Sequence, residues 1–312
     1  MTAPTSLRRP PALRPGDRVA VLTASSPVPA GPLEFGLRLL RDAGLEPVVH
    51  RSAREPGTLR PYLAGTDALR AADLTDALLD PSIAGIVFAR GGSGAARTLA
   101  ALEWSRFDGL APKVLAGYSD VTAVHEAVAR CLGWASVHST VVASDNGTAA
   151  WSMSTLLEVL LTPERASECR FPDPTVIVGG RARGVTLGGN VCVLTASLGT
   201  PTSRPAAGGL LLVEEESEDP YRLDRMLTHL QRTGYLDDVA GVVCGRFHGC
   251  GPDDLVADVL AERLGTLGVP MITGADIGHG GANRAFPLGV AAELDADAGV
   301  VRFLDPPLIP RD

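Results

Sequence analysis

Apolar positions in this chain follow two alternating rhythms. Largely apolar runs at 18–24, 83–89 and 113–117 have the length and composition of buried strands. Between them apolar residues recur every three or four positions, as in Leu33, Leu37 and Leu40, with Gly44 where a helix C-cap belongs. A short strand is expected at 46–50, and Thr66 is placed to cap a helix to Leu79 that Asp80-Pro81 stops. The run at 113–117 leads through Gly117-Tyr118-Ser119-Asp120 into a helix ending near Cys131-Leu132-Gly133. Strand–helix alternation of this kind predicts an α/β fold with a parallel sheet. The stretch 134–171 is less regular, with a helix near 154–161, and Pro172-Asp173-Pro174 reads as a linker. The expected units are therefore 1–170 and 171–312. In the second unit a glycine-rich segment at 184–189 precedes a helix at 190–198. Strands are expected at 210–213, 240–245 and 270–273, helices at 221–232 and 255–267, and a β-hairpin over 289–304.

Composition narrows the function classes. A net charge of −8 over 312 residues leaves no nucleic-acid footprint and no general basic surface for an anionic membrane. Residues 1–16 carry Arg8, Arg9 and several prolines but no apolar core, so neither a secretory nor a transit leader is expected. No run approaches a membrane span. The five cysteines are odd in number and lack paired spacing, which points to reduced thiols and a cytoplasmic setting. Cys244, His248 and Cys250 lack zinc-type spacing, and no metal is expected.

Candidate chemistry sits at the ends of the apolar runs. Ser119 falls at a strand-to-helix turn, where a hydroxyl is exposed and nearby N–H groups can stabilise an oxyanion, although Asp120-Val121 replaces the glycine that ends the usual elbow pattern. A turn serine with Asp120 as a helix cap is the plainer reading. Arg90-Gly91-Gly92-Ser93-Gly94 ends the preceding strand. It is read as a phosphate loop, as a tight turn, or as an oxyanion donor serving Ser119. Glu214 is the first acid after the apolar run 210–213, with Glu215, Glu216 and Glu218 read as solvated or substrate-facing. Of the six histidines, His279, bracketed by Gly278 and Gly280, is the best candidate base. Recognition of a free carboxylate calls for an arginine, with Arg90, Arg225 and Arg284 as candidates.

Taken in order, these blocks resemble the LD-carboxypeptidase family of serine peptidases (family S66), which includes the microcin C immunity peptidases. The resemblance runs through Leu13-Arg14-Pro15-Gly16-Asp17, Leu63-Ala64-Gly65-Thr66-Asp67, Arg90–Gly94, Gly117–Ala123, Gly188-Gly189-Asn190, Glu214 with Pro220–Leu227, and Gly278-His279-Gly280 with Asn283. It implies Ser119 as nucleophile, His279 as general base and acid, Glu214 as orienting carboxylate, and N–H groups of Asp120 and of Gly91 or Gly92 as oxyanion hole. The implied fold is a Rossmann-like N-terminal domain carrying the serine and a C-terminal swivelling β/α domain carrying the other two. The implied protein is a homodimer without metal or organic cofactor. Its implied reaction releases terminal D-alanine from murein tetrapeptide, the rival being cleavage of a peptidyl or aminoacyl nucleotide conjugate, for which Trp151 is a candidate base-stacking residue. Three departures from the family pattern stand out: Ser93 for a tyrosine, His138-Ser139-Thr140 for His-Gly-Pro, and Glu216-Ser217, which fits neither branch.

Overall fold

The computed structural model describes residues 5–57, 60–144 and 147–311. The expectation for the N-terminal leader falls partly on residues 1–4, and the irregular stretch 134–171 includes 145 and 146; these six lie outside the described residues.

The first sheet is built from β1 (Arg18–Leu22), β2 (Glu46–Val49), β3 (Ile83–Phe88), β4 (Val114–Gly117) and β5 (Ser136–His138), all parallel. Their spatial order is 2-1-3-4-5, a doubly wound arrangement with its switch point between β1 and β3. Helices α1 (Ala30–Asp42), α2 (Asp67–Leu79), α3 (Ala95–Ala100), α4 (Thr122–Leu132) and α5 (Ala149–Leu161) cover both faces. Alternation along β1 sorts the core: Val19 and Val21 pack with α1 and α5, whereas Ala20 and Leu22 pack with α2, α3 and α4.

The second sheet contains β6 (Glu168–Arg170), β7 (Thr175–Val178), β8 (Arg181–Asn190), β9 (Gly209–Glu216), β10 (Gly241–His248) and β11 (Met271–Thr273). β12 (Phe286–Leu288) precedes the closing hairpin of β13 (Ala291–Asp295) and β14 (Val300–Phe303). The order of the sheet is β6-β14-β13-β8-β9-β10-β11-β7, with β8 to β11 parallel. Helices α6 (Val191–Ser197), α7 (Pro220–Arg232) and α8 (Asp253–Arg263) cover one face. The other face packs Leu210, Leu212, Val243 and Ile272 against Phe286, Leu288 and Ala135, the β12/β5 side of the first unit.

The units exchange edge strands, so no single cut in the chain separates them. β6 joins the second sheet, although it precedes residue 171, because Cys169 fills that core. β12 returns to the first sheet beside β5. The glycine-rich segment at 184–189 is part of β8. A Cβ on Gly189 would lie 2.5 Å from Thr122 Oγ1, so glycine there lets the second unit seat directly on the start of α4.

Candidate active site

The first half of the site is the turn after β4. Ser119 has φ +64°, a left-handed conformation that costs a non-glycine residue about 1–3 kcal/mol and that persists only where its surroundings enforce it. Asp120 supplies part of that enforcement. Its Oδ2 accepts from Ser25 Oγ (2.6 Å) and from the Ala95 N–H (2.8 Å) at the start of α3, tying the ends of β1, β3 and β4 together. Asp120 is thus a cap, as the plainer reading had it, but of α3; burial raises its pKa above the ordinary carboxylate value. Next along the chain, Thr122 Oγ1 accepts the Asn190 N–H at 3.0 Å and fixes the turn to the second unit.

The glycine loop after β3 presses against Ser119. A Cβ on Gly91 would stand 2.8 Å from Ser119 Cβ and 3.1 Å from its Oγ. Gly91→Ala is therefore expected to push the hydroxyl out of line and lower kcat/KM about 100-fold, since ångström-scale misplacement costs that much. Steady-state kinetics beside a thermal melt would separate this local effect from unfolding.

The second half comes from β9 and the loop after β11. Residues of β9 alternate between faces, so Leu210, Leu212, Glu214 and Glu216 look toward the first unit, while Leu211, Val213 and Glu215 look toward the helices. Glu215 is buried: its carboxylate accepts from Asn190 Nδ2 and from the Cys192 N–H, each at 2.7 Å, at the start of α6. Burial pushes its pKa up to about 7. The expectation of a solvated or substrate-facing Glu215 is thus corrected, because its strand position turns it to the helix side.

Glu214 is fully buried, and its Oε2 lies 2.6 Å from His279 Nδ1 while also accepting the His279 backbone N–H at 3.2 Å. A Cβ on Gly278 would come within 2.5 Å of that oxygen, which is why glycine precedes the histidine. The loop is seated on the first unit: Ser152 Oγ accepts the Asn283 N–H (2.9 Å) and Thr155 Oγ1 accepts the Ala285 N–H (3.0 Å), both from α5. Burial raises the Glu214 pKa, but the hydrogen bond and charge of His279 outweigh it and hold the carboxyl below its ordinary value. Burial lowers the His279 pKa, but bonding to Glu214 outweighs it and leaves the imidazole above its ordinary value near 6.5.

Ser119, Gly91, Gly92, Arg90, Tyr118, Glu216 and His279 line one cavity of about 280 Å³. The Tyr118 ring lies 4.7 Å from the His279 ring, centroid to centroid. Larger hollows of about 470 and 520 Å³ lie beside Pro112 and beside Arg204 without a histidine, and another of about 470 Å³ on α7 has His229 but no serine or carboxylate, so chemistry rather than volume selects the site.

Of the three candidate arginines, only Arg90 lines this cavity, with Nη1 donating to the Pro27 carbonyl at 2.6 Å. Arg284 is not brought to it. Its Nε and Nη2 donate to the two oxygens of Asp276 (2.9 and 2.7 Å), and its guanidinium lies over the Trp151 ring. That pair staples the two ends of the histidine loop and occupies the Trp151 face expected to stack on a base. Arg225 projects from α7 over the Tyr221 ring, outside the cavity.

Sequence reasoning missed two contributions to the site. His138 is completely buried at the end of β5, with both ring nitrogens unpartnered among the described residues and its pKa pushed down to about 4 by burial. Its edge meets Tyr118, with ring centroids 5.9 Å apart. The second is Glu216: the sequence reading groups it with its acidic neighbours, whereas the period of two along β9 places it on the face of Glu214.

A hydroxyl on a strained elbow, and an imidazole held by a buried carboxylate on the facing unit, share one cavity: this is the equipment of a two-domain α/β serine hydrolase. Comparison with known proteins narrows the class. The LD-carboxypeptidase N-terminal domain matches residues 19–139 and the LD-carboxypeptidase C-terminal domain matches residues 183–294. A Streptomyces coelicolor protein bearing a carboxypeptidase name is 45% identical over 97% of this chain and 98% of its own. The murein tetrapeptide carboxypeptidase of Pseudomonas aeruginosa is 28% identical over 90% of this chain and 94% of its own. Among solved structures, an MccF-like protein from Bacillus anthracis superposes with a TM-score of 0.85 at 21% identity, covering 95% of this chain and 98% of that one, a likeness of fold. The chain belongs to the LD-carboxypeptidase family, serine peptidase family S66, and is a serine carboxypeptidase by class. None of its helices, among the described residues, is long and apolar enough to cross a membrane.

Proposed function

We propose that this protein is a murein tetrapeptide LD-carboxypeptidase that works through Ser119, His279 and Glu214. His279 Nε2 takes the proton from Ser119 Oγ as the oxygen attacks the carbonyl before the terminal D-residue. Glu214 holds the Nδ1–H tautomer and stabilises the imidazolium. The backbone N–H groups of Asp120 and of Gly91 or Gly92 serve the oxyanion. His279 then protonates the leaving amine, and water hydrolyses the acyl-enzyme. The observation that carries this reading is the shared cavity of Ser119 and a His279 held 2.6 Å from a buried Glu214. The choice of murein peptide rests on the match to the Pseudomonas aeruginosa enzyme along nearly the whole chain. Arg90 is assigned to the terminal carboxylate of the peptide. A homodimer and a cytoplasmic location belong to the same proposal, to be checked by light scattering and cell fractionation.

The test is mass spectrometry of wild type and Ser119→Ala incubated with murein tetrapeptide and with an aminoacyl-sulfamoyl adenosine. Loss of one D-alanine by wild type alone supports the reading. Cleavage of the nucleotide conjugate alone would reassign the enzyme to that substrate class. No turnover of either, with tight binding of one, would make the protein a binder.

The pH dependence has a definite sign. The base must be neutral, and Glu214 holds the His279 pKa above its ordinary value. The acidic limb of kcat/KM is therefore expected to rise through a midpoint above 6.5. A midpoint below that, from initial rates across pH, would argue against His279 as the base.

A further inference from the structure

Glu216 ends β9 on the same face as Glu214, and its Oε2 lies 3.2 Å from His279 Nε2, the nitrogen that must accept the Ser119 proton. Its side chain is 45% exposed and lines the cavity with Ser119, so it is both accessible and next to the chemistry. Its backbone is fixed: the Glu216 N–H donates to Glu215 Oε1 (2.9 Å), and the following Ser217, at φ +60°, donates to the His248 carbonyl (2.8 Å). Its neighbour Glu218 is paired with Arg222, whereas among the described residues the one cationic side chain within 4.0 Å of Glu216 is His279.

Resting on the Ser119–His279 reading, we propose that Glu216 is the cation-binding carboxylate of the cleft: it holds His279 while the cleft is empty and is taken over by an amine of the bound peptide. The favoured substrates are then peptides with a free ammonium group close to the scissile carbonyl. The charge balance supports this. His279 flanked by Glu214 on Nδ1 and Glu216 on Nε2 is matched as an imidazolium with both nitrogens protonated, a form unable to act as base. Two carboxylates around one imidazolium leave one negative charge in excess, which an incoming ammonium neutralises. When that ammonium draws Glu216 away, the imidazolium gives its Nε2 proton to bulk water, and the freed lone pair accepts the proton of Ser119. An acyl group bearing a carboxylate would meet repulsion from Glu216 instead. The other groups around His279 are Glu215 farther along β9, neutral His138 from β5 and the Tyr118 ring. His248 and Arg246 of β10 pack at Gly280 and Gly281 of its loop.

The test compares a murein tetrapeptide carrying a free side-chain amine with its N-acetylated twin, for wild type, Glu216→Gln and Glu216→Asp, with kcat/KM measured across pH. Wild type is expected to prefer the free amine about tenfold, the scale of one charge-assisted contact. Glu216→Gln should erase the preference, and Glu216→Asp should keep part of it. With the acetylated peptide, the acidic limb in Glu216→Gln should move down by roughly half a pH unit to one unit. A preference that survives Glu216→Gln, or a limb that does not move, overturns the proposal while leaving the carboxypeptidase reading intact. No wild-type turnover of either peptide overturns both. If Glu216→Gln does not fold, a wild type indifferent to acetylation is still sufficient to reject the role.

Discussion

Ser119→Ala is expected to lower kcat by about 10⁴-fold or more, with a thermal midpoint within a few degrees of wild type. Among the described residues lining the cavity, no other hydroxyl sits on a left-handed turn. Ser144 lines the same cavity but follows no strand-to-helix elbow, so it is no substitute nucleophile. Stability should hardly change, because Ser119 is only half-buried and its Oγ has no hydrogen-bond partner within the chain among the described residues. A companion variant sharpens the test. Glycine accepts φ +64° without strain, so Ser119→Gly should be as inactive as alanine yet more stable by about 1 kcal/mol. Lost activity with gained stability is the signature of strain retained for chemistry. An acyl adduct on the peptide containing Ser119, found in wild type and absent from both variants, would identify the nucleophile directly.

Glu214→Gln should cost nearly as much, about 10³- to 10⁴-fold in kcat. The substitution keeps the shape but replaces an acceptor-only carboxylate by an amide, whose oxygen can still accept but whose NH₂ can face the ring instead, so the Nδ1–H tautomer is no longer enforced. The charge is lost as well, so the His279 pKa should fall and the acidic limb of any residual activity should move down. A Glu214→Gln enzyme with wild-type kcat would refute the orienting role. The pair also leaves a mark on stability. The depressed Glu214 pKa means that its contribution is present above the ordinary carboxylate value and is lost as pH falls through the folded value. The raised His279 pKa means that its contribution is present below the ordinary imidazole value and is lost as pH rises through the folded one. Calorimetry across pH should show the wild-type advantage over Glu214→Gln to be largest between those limits.

Much of this architecture is written in local pattern. The apolar runs 83–88 and 114–117 are strands because residues buried on both faces of a parallel sheet read as near-continuous apolar runs. Ser119 and Glu214 could be singled out because polar groups that end such runs emerge at the carboxyl edge of a sheet, and His279 because Gly278 and Gly280 bracket it. The strand 181–190 was not legible, because glycines chosen for close approach to the other unit erase the alternation that announces a strand. Arg90, Arg225 and Arg284 looked equivalent in the sequence, and their partners separate them: Asp276 and Trp151 claim Arg284, α7 carries Arg225 away, and Arg90 alone remains at the cavity. Glu214, Glu215 and Glu216 are one acidic run in one dimension. Period-two geometry sends the middle one to cap a helix, but which face meets the serine depends on the docking of two sheets through contacts such as Asn283 to Ser152, 131 positions apart. Local propensity fixes the elements and their ends. The meeting of a hydroxyl, an imidazole and a carboxylate in one cavity, with a second carboxylate buried behind the imidazole, is a long-range packing outcome, and only the tertiary structure decides it.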